Sequence, residues 1–310
     1  MGVKLAELLP DPSLVCSKNR KRKGAKHFMT IKLITIDLDG TLLRSDKSYD
    51  RDRFNQALVK LKEAGTLVAI VTGNSFQKIS DYFSQDVWPD LYFACDNGNY
   101  IVKDSKALKK IGIAYQDFTQ IVDFLDEFGE YSPVLGLGDS AFFRETGGPL
   151  YDFISRYAKD VEHIPLFSEL PKDSVVTKIA IATQDTLDRN KVLVRIINER
   201  YEDVTAVTSG DGWVDVYNKE GGKGSAIEYL QNKYSIKPEE CMAFGDSLND
   251  ESMMSKVQYS IAMANADKDL SMQCRYQIGH NDDQAVIGIL ESLVKENNLD
   301  FLSSYRTIKE

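Results

Sequence analysis

Histidine and cysteine are scarce in this chain, at three and four of its 310 residues. His27, His163 and His280 form no pair spaced to grip a metal, which argues against zinc or triad chemistry led by histidine. Cys16, Cys95, Cys241 and Cys274 contain no CxxC pair. Cys95 and Cys241 fall in apolar, strand-like runs and are expected as buried free thiols of a reducing compartment, not as disulfide or zinc partners. No apolar run approaches the roughly 18–20 residues of a membrane span. The N-terminus carries no apolar secretory segment, so a cytoplasmic protein without a membrane partner is expected. Positive charge is also short: 38 Lys and Arg face 47 Asp and Glu, for a net charge of −9. The shortfall is steeper in the body, because residues 1–28 hold seven bases and only Glu7 and Asp11 as acids. An acidic body argues against a nucleic-acid partner, whose binding rests on phosphate neutralisation by Lys and Arg. A small phosphorylated substrate stays compatible, since a bound cation reverses the field locally.

What is present suits a folded enzyme. Apolar residues make up 43% of the chain, with fifteen Tyr and fourteen Phe to build cores, so disorder is not its main state. The length predicts two domains, or one core with a large insertion. Residues 1–30 read as a basic extension that stays solvated, because Pro10 to Ser13 break any helix and Ser17 to Lys26 lack apolar side chains. Lys23-Gly24-Ala25 can be encoded by a stretch resembling a bacterial ribosome-binding sequence, so translation starting at Met29 is an alternative expectation. Mass spectrometry of the native N-terminus distinguishes the two.

From Ile31 the pattern is α/β. Residues 31–36, 66–71 and 91–95 are short apolar, β-branched or aromatic runs, the mark of buried parallel strands. Between the first two lies a helix with Phe54, Leu58 and Leu61 at helical spacing, closed by Gly65. The alternation predicts a doubly wound parallel sheet with helices on both faces and ligands outside the carboxyl ends of the strands. The middle of the chain reads as α+β with several hairpins, and the α/β rhythm resumes at Gly221. We therefore expect a core of residues 31–98 and 212–296, an inserted module at 99–211, and a polar tail at 297–310.

Four clusters carry chemistry. In Asp37-Leu38-Asp39-Gly40-Thr41, residues two apart on an extended strand face one side, so both carboxylates are expected to converge at the sheet mouth. Burying them unpaired is costly, and Mg²⁺ resolves the cost because it prefers carboxylate oxygens, water and phosphate. Thr72-Gly73 offers a hydroxyl and a free N–H where a strand becomes a helix, suited to a phosphate oxygen, though Thr-Gly is also ordinary turn chemistry. Lys223, between two glycines at a helix start, is a well-placed point charge for phosphate, though most lysines are surface charges. In Gly245-Asp246-Ser247-Leu248-Asn249-Asp250, two acids four apart can reach one point, with an N-cap cluster as the plainer reading.

In this order and spacing the four clusters resemble the haloacid dehalogenase phosphatases, and the inserted module resembles the cap of their Cof-type branch. The resemblance covers roughly residues 31–296 and extends to FACDNGNYIV (93–102) and IAMANAD (261–267). It implies a Rossmann-like catalytic core with an α/β cap, and hydrolysis of a small phosphate monoester through an aspartyl-phosphate, with sugar phosphates as the leading substrate class. It further implies Asp37 as nucleophile and Asp39 as acid–base. Leu38 (backbone), Thr72, Gly73, Lys223 and Asn249 would hold the phosphoryl group. Asp37, the backbone carbonyl of Asp39, Asp246 and Asp250 would hold Mg²⁺. Many relatives place arginine where this chain has Asn74, which removes a cation beside the site. A phosphomutase and a sugar-phosphate-sensing protein are the competing readings. Asp139, Arg144 and Lys178, on cap strands, are candidates to reach the substrate.

Overall fold

The computed structural model describes residues 31–144, 147–157, 161–208, 211–296 and 298–307. The basic extension therefore lies outside the described residues. The core opens with β1 (Leu33–Ile36), α1 (Arg51–Glu63), β2 (Leu67–Val71), α2 (Phe76–Ser80) and β3 (Leu91–Cys95). α1 starts where the Asp50 carboxylate accepts from the Arg53 backbone N–H and ends just before Gly65, which takes a left-handed φ of 81°. Its Phe54, Ala57, Leu58 and Leu61 are buried, matching the helical spacing of the sequence. Next come β4 (Tyr100–Lys103) and β5 (Lys106–Lys110), followed by the cap elements α3 (Tyr115–Phe128), β6 (Ser132–Gly136), β7 (Ala141–Phe143), α4 (Pro149–Tyr157), β8 (Val161–His163), β9 (Lys178–Ala182), α5 (Leu187–Arg200), β10 (Val204–Val207) and β11 (Trp213–Asn218). The core resumes with α6 (Lys223–Tyr234), β12 (Cys241–Gly245), α7 (Glu251–Met254), β13 (Tyr259–Ala262), α8 (Lys268–Gln273), β14 (Tyr276–Gln277) and α9 (Ala285–Glu296).

The core sheet has the order β14-β13-β12-β1-β2-β3-β4-β5, parallel from β14 to β3. β1 stands between β12 and β2, where the winding reverses, with Ile36 level with both Phe244 and Ile70. This register brings the residues after three strands to one edge, the place a doubly wound sheet reserves for ligands. Strand alternation splits the core into two layers. Ile34 and Ile36 pack with α1 and α9, whereas Leu33 packs with α6. Cys95, Cys241 and Cys274 are buried, and Cys95 and Cys241 are free thiols as expected. Among the described residues no helix is long and apolar enough to cross a membrane.

The cap sheet has the order β10-β11-β9-β6-β7-β8 and is antiparallel except for the β7–β8 pair. The expected boundaries at 99 and 211 differ from this strand pairing. β4 extends the core sheet antiparallel to β3 and β5 antiparallel to β4, while β11 pairs with β9 and β10 in the cap. Asp104 and Ser105 both take positive φ, 51° and 58°, which folds β4 straight back into β5 at the sheet edge. The sheets therefore change over in residues 111–112 and 219–222. β5 was not foreseen because Lys106-Ala-Leu-Lys-Lys110 is charged, yet charge suits the outer strand of a sheet, where it blunts edge pairing. The tail is likewise more than a polar end. Asp300–Tyr305 form a 3₁₀ turn, Leu302 is buried, and the Thr307 backbone N–H donates to the Arg275 carbonyl at 3.0 Å.

Candidate active site

Asp37 follows β1 directly, its backbone N–H donating to the Phe244 carbonyl at 3.0 Å. The chain then leaves the strand. Gly40 takes φ 77°, and a Cβ there would stand 2.4 Å from Asp246 Oδ2, so conformation and space both require glycine. This turn changes the relation of the two acids. Asp37 accepts from Lys223 Nζ at 2.7 Å, whereas Asp39 accepts from Lys47 Nζ at 2.7 Å and from Asn74 Nδ2. Asp37 and Asp39 line one cavity, but their carboxylates have different partners, because the extended backbone assumed from the sequence ends at Ile36. Leu38, between them, is fully buried.

The carboxylates that converge are Asp37, Asp246 and Asp250, with one oxygen of each within 4.8 Å of the others. Asp246 follows β12 and accepts from the Thr41 hydroxyl at 3.1 Å. Asp250 Oδ2 accepts from the backbone N–H groups of Asp246 and Ser247, at 3.0 and 3.1 Å, which folds the loop back on itself. Lys223, only 1% exposed, opens α6 and donates to Asp37, Asp250 and Asn249 at 2.7, 2.5 and 3.2 Å. Burial drives Asp37 up to about 7, with the Asp250 charge adding to the effect and Lys223 opposing it. Burial followed by the Asp37 charge drives Asp246 up to about 8. Burial alone would lower the Lys223 ammonium, but the Asp250 and Asp37 carboxylates override it and raise the group well above its ordinary value. Three acids, Asp37 and Asp250 buried and Asp246 partly so, face one ammonium and leave an excess of negative charge, and every donor is a hard oxygen. That set fits a divalent cation of the Mg²⁺ type. The Asp39 side chain is not part of it.

Thr72 is buried, and its hydroxyl accepts from the Asn74 backbone N–H at 3.2 Å. The Gly73 carbonyl accepts from Lys178 Nζ at 2.5 Å, which ties the cap to the loop after β2. Asn249 donates to Asn97 Oδ1 at 3.3 Å, and Asn97 in turn donates to Asp215 on β11 at 2.7 Å. Directly after Thr72-Gly73, Asn74 bridges Asp39 to Lys78, whose Nζ donates to it at 2.8 Å. Lys47 and Lys78 thus bring positive charge to Asp39 from outside the motifs. Burial works against the carboxylate, but the Lys47 hydrogen bond and charge hold Asp39 below its usual range. Lys47, Lys78, Asn97 and Asp215 were missed because no local spacing marks them; Asn97 alone stands inside a segment the sequence singled out. Of the three cap candidates, Lys178 lines the cavity. Arg144 instead pairs with Asp126 at 2.5 Å and lies over the Phe167 ring. Asp139 is exposed outside the cavity lining.

Asp96 sits at the junction of core and cap, buried, accepting from the Thr177 hydroxyl at 2.7 Å. Burial pushes its carboxyl up to about 6, against the pull of Lys178 and Thr177. A carboxyl whose folded value lies above its unfolded value favours folding in its neutral form. That contribution is complete below pH 3.8 and is lost as pH rises through 6. Asp96→Asn is therefore expected to gain on the order of 2–3 kcal/mol on the wild type between pH 4 and pH 7. Urea unfolding at fixed pH values measures the gain; a difference that stays constant across the range would mean that Asp96 titrates alike folded and unfolded.

Comparison with known proteins gives this geometry a family. The haloacid dehalogenase-like hydrolase profile matches residues 34–290. The chain belongs to that family. It is 24% identical over 269 residues to the 5-amino-6-(5-phospho-D-ribitylamino)uracil phosphatase YbjI of Escherichia coli (strain K12), covering 86% of this chain and 97% of that protein. Among solved structures, SMU.1108c from Streptococcus mutans UA159 superposes with a TM-score of 0.78 at 26% identity, over 86% of this chain and all of that one. The subclass IIB sugar phosphatase BT4131 superposes with a TM-score of 0.70 at 18% identity, over 84% of this chain and 98% of that one.

Proposed function

We propose that the protein hydrolyses a small phosphate monoester, with Asp37 as the nucleophile. The observation that carries this reading is the buried constellation at the sheet edge. One oxygen of Asp37 belongs to a three-carboxylate set with a single ammonium beside it, and the other side of the residue opens to the cavity. Asp37 attacks phosphorus and the alcohol leaves, giving an aspartyl-phosphate; water then cleaves the acyl phosphate and restores the carboxylate. Asp37, Asp246 and Asp250, with the Asp39 carbonyl, would hold Mg²⁺, which supplies positive charge that lets a phosphate approach a carboxylate. The Thr72 hydroxyl, the Gly73 and Leu38 backbones, the Lys223 ammonium and the Asn249 amide orient the phosphoryl oxygens, and positioning and charge are what phosphoryl transfer chiefly asks of a protein.

Asp39 serves both halves. As an acid it gives its proton to the departing alkoxide, and as a carboxylate it takes one from water. Lys47 and Asn74 favour the carboxylate, so this site is set for the second half and the proton for the first must be acquired against them. The relatives lend support: YbjI is named for the phosphate of a ribitylamino-uracil and BT4131 as a sugar phosphatase. The test is phosphate release from a panel of sugar, nucleotide and ring-bearing phosphates, with Mg²⁺ and with chelator. Mg²⁺-dependent release is expected. Transfer of phosphate back to substrate without release would replace hydrolysis by mutase chemistry.

A further inference from the structure

The helices of the cap lie on the side away from the catalytic cavity. Ile179, Ile181, Val214 and Val216 pack under α3 and α5, whereas Lys178, Ala180 and Asp215 of the same strands line the cavity. α3 and α5 run antiparallel. Phe124 of α3 stands beside Tyr201, just past the end of α5, with ring centroids 6.2 Å apart. Glu130, just past the end of α3, pairs with Arg189 in the first turn of α5 at 3.9 Å. Between the helices runs a groove of about 180 Å³ lined by Phe124, Phe128, Tyr131, Val192 and Ile196. Its rim is open to solvent: Phe128 is 51% exposed, Val192 48% and Ile196 38%. Exposed apolar residues scattered singly need no explanation, but these three border one groove, the pattern of a contact face.

Charge is divided between the two helices. α3 carries Asp117, Asp123, Asp126 and Glu127 and no base. α5 carries Arg189, Lys191, Arg195 and Arg200 against Asp188 and Glu199. Some of this charge is answered within the chain, Asp126 by Arg144 and Arg189 by Glu130. Asp123 and Glu127 on α3, and Lys191 and Arg195 on α5, are exposed, and among the described residues no ion pair engages them. The face is therefore apolar along its groove, acidic on one flank and basic on the other.

Such a face complements itself. A two-fold axis lying across the helices would set each α3 on the other α3, acids against acids. An axis running along the groove sets each α3 on the other copy's α5, so that acids meet bases on both flanks and the two Phe128 rings close the grooves between them. We propose that two copies of this chain associate in this second arrangement, with Glu127 of each copy facing Arg195 of the other. Both catalytic cavities stay open, because they lie on the opposite side of the cap sheet. Two helices of 14 residues, about 21 Å long and about 10 Å apart, present a face on the order of 500 Å² per copy. A total near 1,000 Å² stands at the low end for a specific contact and fits a reversible dimer, not a permanent one.

Sedimentation equilibrium of the full chain tests this. The mass is expected to climb reversibly from 34.9 kDa toward twice that value as concentration rises through the micromolar range. Phe128→Asp and Glu127→Lys are each expected to raise the dissociation constant at least about tenfold, since every substitution acts twice at a two-fold contact. Both side chains are exposed, so thermal unfolding of either variant should match the wild type. Adding Arg195→Glu to Glu127→Lys is expected to bring association back to within about threefold of the wild type, because the pair is restored with its signs exchanged. A single 34.9 kDa species up to about 200 μM overturns the proposal. So does a dimer that Phe128→Asp leaves intact, or one weakened by Glu127→Lys that Arg195→Glu does not rescue. Should Phe128→Asp fail to fold, the wild-type mass and the charge exchange still decide.

Discussion

Asp37→Asn is expected to lower phosphate release on the order of 10⁴-fold or more while leaving the metal-free protein as stable as the wild type, or more so. The two halves of this expectation come from one observation. Asp37 is buried, and burial with the Asp250 charge already pushes its carboxyl up to about 7. A neutral amide of the same shape relieves that repulsion, and Lys223 keeps Asp250 and Asn249 as partners. The amide has no anionic oxygen to attack phosphorus, however, and cannot form the acyl phosphate. Release assays and thermal unfolding in chelator read both halves. Turnover above about one per cent of wild type would sink the nucleophile assignment, since a residue that forms the covalent intermediate has no near substitute.

Lys223→Met should show the opposite pairing, with activity and stability lost together. Removing the ammonium leaves Asp37, Asp246 and Asp250 facing one another without it, and breaking a buried ion pair from one side costs about 3–5 kcal/mol. For a chain of this size that lowers Tm by roughly 5–8 °C. The deficit has a predictable pH dependence. Asp37 and Asp246 are raised to about 7 and 8, so both become neutral as pH falls through that window and the need for a cation fades. The difference from wild type should therefore shrink between pH 8 and pH 6, and adding Asp37→Asn to Lys223→Met should restore part of the loss at pH 8. A deficit that ignores both would mean that Lys223 acts through packing and not through charge.

The site was legible to the extent that its residues sit beside strand ends. Asp37, Thr72 and Asp246 each follow an apolar run, and parallel topology alone carries such positions to one edge. Lys223 and Asp250 were legible as candidates, but not as direct partners at 2.5 Å. The reading that Asp246 and Asp250 reach one point held beyond the strand end, but other inferences needing the backbone path beyond a strand did not. Asp39 turns toward Lys47 because Gly40 bends the chain, and Arg144 turns outward to Asp126. The strand β5 hid behind its lysines, and the tail's Leu302 hid in a polar stretch, because burial there is decided by neighbours distant in sequence. Lys178 was named without a face. Strand period places it with Ala180, but only the outer helices decide which face looks inward.

The connections between core and cap have a mechanical consequence. The entering and leaving segments run side by side, joined where Asn218 Nδ2 donates to the Gly112 carbonyl at 3.0 Å. Among the described residues each apolar cluster belongs wholly to one domain or the other. Away from that junction, the hydrogen bonds between core and cap include Lys178 to Gly73, Asn97 to Asp215 and Thr177 to Asp96, and Gly138 of the cap lies against the Tyr100 ring. Swinging the cap about its paired connections would therefore trade these bonds for bonds to water and uncover little apolar surface beyond the Tyr100 ring. Opening of such a hinge would carry almost no change in heat capacity, so the logarithm of its equilibrium constant should run straight against inverse temperature.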